Sequence, residues 1–230
     1  GNYKSHLGDE KTITTKITTE TTVTTNPRTG ETTSETISTS ETRRSGEIPE
    51  KFQIPQPFFK SPSCLLRHGG NILLPKDSEV THFEAELVIV IGRTTRNVSK
   101  KDALDHVFGV TCGNDISARA WQKGDVQWWR AKGSDTFGPC GPFIATGLDY
   151  DNLLLQLRLN GKTMQKERTS QFINDIPSMV SFVSQHVTLH PGDLIFTGTP
   201  GTTSEIQPGD VLEVELEGVG VLRNKVVAEK

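Results

Sequence analysis

Cysteine is scarce in this chain: only Cys64, Cys112 and Cys140 occur among 230 residues. The number is odd and no Cys-x-x-Cys spacing occurs, so neither a disulfide framework nor a zinc site is suggested, and a reducing compartment fits. Long apolar runs are missing as well, none approaching the roughly 18 residues that a membrane-spanning helix needs. The N-terminal residues show no signal-peptide apolar core and no Arg-rich presequence pattern, so a cytoplasmic location is expected. An excess of one charge is also lacking. With 25 Lys and Arg against 28 Asp and Glu, the net charge is -3, which gives no electrostatic reason to expect nucleic acid or an anionic membrane as partner. The length suffices for one large domain with a buried core.

What is present reads as strand far more than helix. Leu153 to Asn160 alternates apolar and polar residues and turns at Asn160-Gly161, the pattern of a hairpin. Two Pro-Gly-Asp turns, at 191 to 193 and 208 to 210, each launch a strand. Two helices are expected. One is short, over Ser99 to Val107, with Ser99 as N-cap and Asp102 reaching back; the other spans Ile176 to Gln185, with Met179, Phe182 and Val183 at core spacing. Many short strands with few helices predict a β-rich α+β fold.

Residues 11 to 46 differ in composition from the rest. Lys11 to Thr25 and Glu31 to Arg43 are about half threonine and flank Asn26-Pro27-Arg28-Thr29-Gly30, a strong turn signal. Low hydrophobicity would suit a disordered linker. Threonine is also a strand former, and Ile13, Ile17 and Val23 fall on one face of an extended chain, which favours a two-stranded ribbon. Composition divides the chain into residues 1–10, which carry His6, an inserted ribbon or lid at 11–50, and the body of a single domain at 51–230. The ribbon is expected to shape substrate access or a subunit interface.

The sharpest chemical signal is Glu84-x-Glu86 in an apolar, β-branched segment ending at Gly92. Side chains alternate along a strand, so both carboxylates face one side. Asp115, just past the break at Gly113-Asn114, is a third candidate. Three hard oxygen ligands with positions left open suit Mg2+ or Mn2+ better than zinc. A Glu-x-Glu pair alone also suits a solvated strand face.

Four motifs stand in order: Glu84-x-Glu86; Asn114-Asp115-Ile-Ser-Ala-Arg119-x-x-Gln122; Lys132-Gly-Ser-Asp-Thr136-Phe-Gly-Pro-x-Gly-Pro142; and Thr197-Gly-Thr-Pro-Gly201. Together with Asn2-Tyr3-Lys4-Ser5-His6, they resemble the fumarylacetoacetate hydrolase superfamily from about Phe58 to Val227. The resemblance implies a mixed β-sandwich roll, commonly dimeric, with Glu84, Glu86 and Asp115 as metal ligands. It also implies a small 2-oxo acid as substrate, chelated through its carboxylate and keto oxygens. Lys132 becomes the fixed positive charge beside an enolate. His6 becomes a general base oriented by Asp9, where relatives carry glutamate, with Glu10 a substitute. Gln122 and Thr199 become substrate contacts, while Arg119 braces the Asp115 loop. After Pro200 the chain runs through Thr202-Thr203-Ser204 to Glu205 where relatives often carry Gly-Val-Gly, so the pocket for the substrate tail is expected to differ.

The implied reactions are hydrolytic carbon–carbon cleavage of an acylpyruvate or decarboxylation of oxaloacetate. An isomerase or tautomerase of a 2-hydroxy-dienedioate is the alternative, and a non-enzymatic, metal-stabilised assembly protein is the reading from another class.

Overall fold

The computed structural model describes residues 2–7, 15–25, 32–42, 48 and 50–229. β1 (Thr15–Thr25) and β2 (Thr32–Thr42) form an antiparallel ribbon, with Ile17 opposite Ser40 and Val23 opposite Ser34. Threonine's branched Cβ stiffens the side chain and suits an extended backbone, which is how so polar a stretch forms strands. Ile13 and the turn motif at 26–30 lie outside the described residues.

After a short helix α1 (Glu50–Gln53), two five-stranded sheets make the body. One runs in the order β11 (Lys162–Arg168), β10 (Leu154–Leu159), β13 (Val211–Leu216), β14 (Gly220–Ala228), β4 (Asn71–Leu74). The other runs β12 (Leu194–Phe196), β6 (Ala85–Ile91), β7 (Val107–Asn114), β9 (Gly138–Ala145), β3 (Leu65–Leu66). β5 (Thr81–His82) and β8 (Ser117–Ala118) pair separately. Within the two large sheets the β14–β4 and β3–β9 pairings are parallel and the rest antiparallel. Strands β10, β13 and β14 pack on β6, β7 and β9, giving the β-rich, mixed-sheet sandwich expected.

Alternation decides which side chains enter the core. Leu155 and Leu157 of β10 and Leu212, Val214 and Leu216 of β13 point inward, against Leu87, Ile89 and Val110 of the facing sheet. Burying each such side chain contributes about 1.5–3 kcal/mol. β6 is buried along its whole length, so Glu86 near its start is a carboxylate in a nearly dry strand. Gly113 permits a close approach: a Cβ there would stand 2.3 Å from Val88 and 2.8 Å from Phe196.

The hairpin turns with Asn160 and Gly161 both at positive φ, +51° and +81°, the two-residue turn that matches strand twist. Helix α4 (Ile176–His186) is capped by Asp175, whose side chain accepts from the Ser178 N–H at 2.9 Å. Met179 and Val180 are buried and Val183 packs on the core, whereas Phe182 stands edge-on to His186 at 5.0 Å. The helix expected over 99–107 is a correction. Ser99 and Asp102 do bond, Oγ to Oδ2 at 2.6 Å, but only a 3₁₀ turn at Ala103–His106 follows. β7 takes up the chain at Val107, so the turn runs straight into a strand.

Candidate active site

Glu84 stands just ahead of β6, Glu86 within it, and Asp115 directly after the neighbouring strand β7. Register brings them together: Ala85 pairs with Asn114 and Glu86 with Gly113. The Asp115 N–H donates to the Glu84 carbonyl at 2.8 Å, and the Glu84 N–H donates to Asn114 Oδ1 at 2.9 Å. All three carboxylates are buried, and an oxygen of each lies within 4.8 Å of the others.

Three carboxylates at that spacing repel one another, and burial would be prohibitive without compensating charge. Three cations supply it. Lys132, in α3 (Trp129–Gly133), places Nζ 2.9 Å from Glu84 Oε2, 2.7 Å from Asp115 Oδ2 and 2.6 Å from Ser117 Oγ. Lys60 takes the other Asp115 oxygen, Oδ1, at 2.7 Å and donates to the carbonyls of Lys132 and Phe137. Arg119, opening α2 (Arg119–Gly124), donates to Glu84 Oε1 at 2.5 Å, Gln122 Oε1 at 2.7 Å and Thr203 Oγ1 at 2.9 Å.

The compensation is uneven. Burial, then the charges of Asp115 and Glu84, hold the Glu86 carboxyl well above its ordinary range, although Gly198 N–H donates to its Oε2 at 2.7 Å. Burial also opposes the charge of Asp115, but the Lys132 and Lys60 ammoniums outweigh it and keep this carboxyl below its ordinary value. Lys132 is likewise opposed by burial, which Asp115 and Glu84 outweigh, raising its pKa so that it stays an ammonium. The donor set is three buried carboxylate oxygens, hard ligands without sulfur or imidazole, and Glu86 is under-compensated as it stands. A divalent cation fits that chemistry.

The loop after β12 closes one side. Thr197 and Thr199 are buried, and Gly198 holds φ at +97°. A Cβ on Gly198 would meet the Asn2 backbone nitrogen at 2.7 Å, so glycine is required by both conformation and space. Asn2 fastens the N-terminal segment: its Oδ1 accepts from the Asn174 N–H and its Nδ2 donates to the Asn174 carbonyl, each at 2.8 Å. Tyr3 packs on Phe172 with ring centroids 4.6 Å apart, and burial pushes its phenol pKa up. The 3₁₀ turn Lys4–Leu7 follows, and Ser5 Oγ accepts from the Gly201 N–H at 3.1 Å.

The family model described as fumarylacetoacetate (FAA) hydrolase C-terminal matches residues 17–227. The chain belongs to the fumarylacetoacetate hydrolase family. It is similar in structure to a 5-carboxymethyl-2-hydroxymuconate delta-isomerase from Mycobacterium smegmatis, with TM-score 0.75, 42% identity, and 77% of this chain and 72% of that one covered. A 2-hydroxyhepta-2,4-diene-1,7-dioate isomerase from Mycobacterium marinum gives TM-score 0.74 and 45% identity over 75% of this chain and 68% of that one. In sequence the chain is 39% identical over 182 residues to a mitochondrial oxaloacetate tautomerase of Bos taurus, covering 74% of this chain and 58% of that protein. Fumarylacetoacetate hydrolase relatives are thus hydrolases, isomerases or tautomerases, and this chain is an enzyme of that superfamily.

Of the residues singled out from sequence, Glu84, Glu86, Asp115 and Lys132 meet in one cluster. Gln122 adjoins it through Arg119, and Thr199 through the Gly198 contact to Glu86. His6 falls within the 3₁₀ turn beside the Gly201 loop; Asp9 and Glu10 lie outside the described residues. Arg119 braces a carboxylate, Glu84, directly. Sequence reasoning gave no role to Lys60, Ser117 and Gln165, and took Thr203 only as part of the substrate-tail loop rather than as a partner of Arg119. Lys60 lies 72 residues before Lys132, and Gln165 sits among charged residues of β11, so neither carries a local pattern. Among the described residues no helix is long and apolar enough to cross a membrane.

Proposed function

We propose that this protein is a divalent-metal-dependent enzyme that shifts a proton between the C3 carbon and the oxygen of a small 2-oxo acid, as an isomerase or tautomerase. Glu84, Glu86 and Asp115 would hold Mg2+ or Mn2+, and when bound the cation supplies Lewis-acid polarisation of the 2-oxo oxygen. The observation that carries the reading is Lys132. A structural metal site has no use for an ammonium wedged between two of its ligands. Its charge, held in place by Ser117, offsets negative charge developing on oxygen as the C3 proton leaves, a preorganised contribution of about several kcal/mol.

Charge counting supports a dianionic substrate. Glu84, Glu86 and Asp115 equal in number the cations Lys60, Lys132 and Arg119, which pair with Glu84 and Asp115 and leave Glu86 to the metal. A divalent cation then leaves a net charge of about +2, complementary to a 2-oxo dicarboxylate such as oxaloacetate or a dienedioate. Thr199 and the Gln122 amide are assigned to its carboxylates. Gln122 Oε1 is taken by Arg119, while its Nε2 donates to no described residue. A homodimer and a cytoplasmic location belong to the same proposal.

One observation favours a second reading, hydrolytic carbon–carbon cleavage with His6 as base: the Ser5 to Gly201 bond seats the His6 turn beside the substrate loop. Turnover of oxaloacetate and acetylpyruvate, with Mg2+ and with chelator, separates the two. Metal-dependent loss of enol absorbance without pyruvate, unchanged in His6→Ala, supports the isomerase. Pyruvate from acetylpyruvate that disappears in His6→Ala supports the hydrolase. No metal-dependent change with either substrate refutes both.

A further inference from the structure

We propose that Gln165 is a positioning residue that fixes the direction of the Thr199 hydroxyl and presents its proton to the carboxylate of the bound 2-oxo acid. The inference rests on the substrate class assigned above and adds the residue that orients its anchor.

Gln165 is buried in β11, and its three hydrogen bonds leave it no choice of orientation. Oε1 accepts from the Ala85 N–H at 3.0 Å, and Nε2 donates to the Pro200 carbonyl at 2.5 Å and to Thr199 Oγ1 at 2.9 Å. An N–H can only donate and a carbonyl can only accept, so these two backbone groups dictate which end of the amide is oxygen. With both amide protons directed to the loop, Thr199 Oγ1 must act as the acceptor.

A hydroxyl that accepts retains one proton to donate. Thr199 is 2% exposed, so that proton is shielded from solvent, and it meets no acceptor among the described residues. Its neighbour Gly198 donates to Glu86 Oε2 at 2.7 Å, so the available proton is one residue from the carboxylate cluster. A buried donor beside a cationic centre suits an anionic oxygen. Gln165 also holds the N–H of Ala85, between Glu84 and Glu86, so one side chain sets the metal-ligand strand and the anion-binding loop in register.

Gln165→Glu is the directional test. Its carboxylate can still accept from Ala85 N–H, but toward Thr199 it can only accept, so the hydroxyl must turn its proton away from the substrate. The probe is oxalate, a planar dianion that matches the two oxygen positions of a 2-oxo acid, titrated calorimetrically into Mg2+-loaded protein, with Mg2+ affinity measured separately. We expect oxalate to bind about tenfold or more weakly, the equivalent of one charge-assisted hydrogen bond. Mg2+ affinity should stay within about threefold, and in a Thr199→Val background Gln165→Glu should add no further loss.

Gln165→Met, which carries no charge, should weaken oxalate in the same direction and serves if the glutamate variant does not fold. Unchanged oxalate affinity in the variants overturns the proposal. So does a parallel loss of Mg2+ affinity in Gln165→Glu, which keeps the Ala85 contact, or a loss that persists with Thr199→Val, which marks repulsion by the new charge. Wild-type protein that binds Mg2+ but no oxalate removes the 2-oxo acid reading itself, and this inference with it.

Discussion

Lys132→Met is expected to lower stability without metal yet enlarge the stabilisation that metal confers. The Lys132 ammonium is almost fully buried and lies 2.7 and 2.9 Å from carboxylate oxygens of Asp115 and Glu84. At an effective dielectric of about 20, a pair at that separation attracts by about 6 kcal/mol, much of it offset by the cost of taking three charges out of water. Removing one member leaves the others uncompensated, a net loss of about 3–5 kcal/mol, somewhat reduced by the apolar packing of Met. For a domain of this size that corresponds to a Tm about 6–20 °C lower in chelator. Mg2+ no longer shares Glu84 and Asp115 with an ammonium in the variant, so saturating Mg2+ should raise its Tm more than that of the wild type. Thermal unfolding of both proteins, in chelator and in Mg2+, reads both effects. Equal Tm values in chelator, or a smaller Mg2+ shift in the variant, would refute the assignment of Lys132 as the counterion of the cluster.

Glu86→Gln tests the uneven compensation through pH. Its folded pKa is raised above the ordinary 4.5, so the folded state holds this proton more tightly than the unfolded chain does. That contribution is fully present below about pH 4.5 and is lost as pH rises through the folded value. In chelator the wild type should therefore lose stability with rising pH in this range, and Glu86→Gln should flatten the profile; an unaltered slope counts against it. Gly113→Ala should cost about 1–3 kcal/mol in thermal unfolding, because its Cβ would overlap Val88 and Phe196, and a neutral result would contradict that packing. Arg119→Lys keeps the charge but cannot span Glu84, Gln122 and Thr203 together, so KM for a 2-oxo dicarboxylate should rise about tenfold; an unchanged KM removes Arg119 from the orientation of Gln122.

The strand skeleton was readable because the signals are local. The Asn160-Gly161 turn, the two Pro-Gly-Asp launches and the apolar run after Glu84 each specify backbone geometry within a few residues. The metal-ligand candidates were readable for the same reason, since a two-residue period puts Glu84 and Glu86 on one side. The 99–107 segment misled because the Ser99–Asp102 bonds close a turn ahead of a 3₁₀ helix whose own N-cap, Asp102, makes no side-chain capping bond. Lys60 and Gln165 were invisible for the opposite reason. Neither stands in a local pattern, and the role of each exists only after distant segments align, β11 against Ala85 in one case and the Lys60 loop against Asp115 in the other. Arg119 was expected to brace the Asp115 loop, but its specific partner, Glu84 just ahead of β6, is not local to it in sequence.

The most direct test of the central claim is the decay of oxaloacetate enol absorbance, followed with Mg2+ and with chelator, for wild type and Glu86→Ala. The account predicts acceleration by the wild type that requires Mg2+ and is lost in Glu86→Ala. Acceleration that survives chelator, or that Glu86→Ala retains in full, would contradict it.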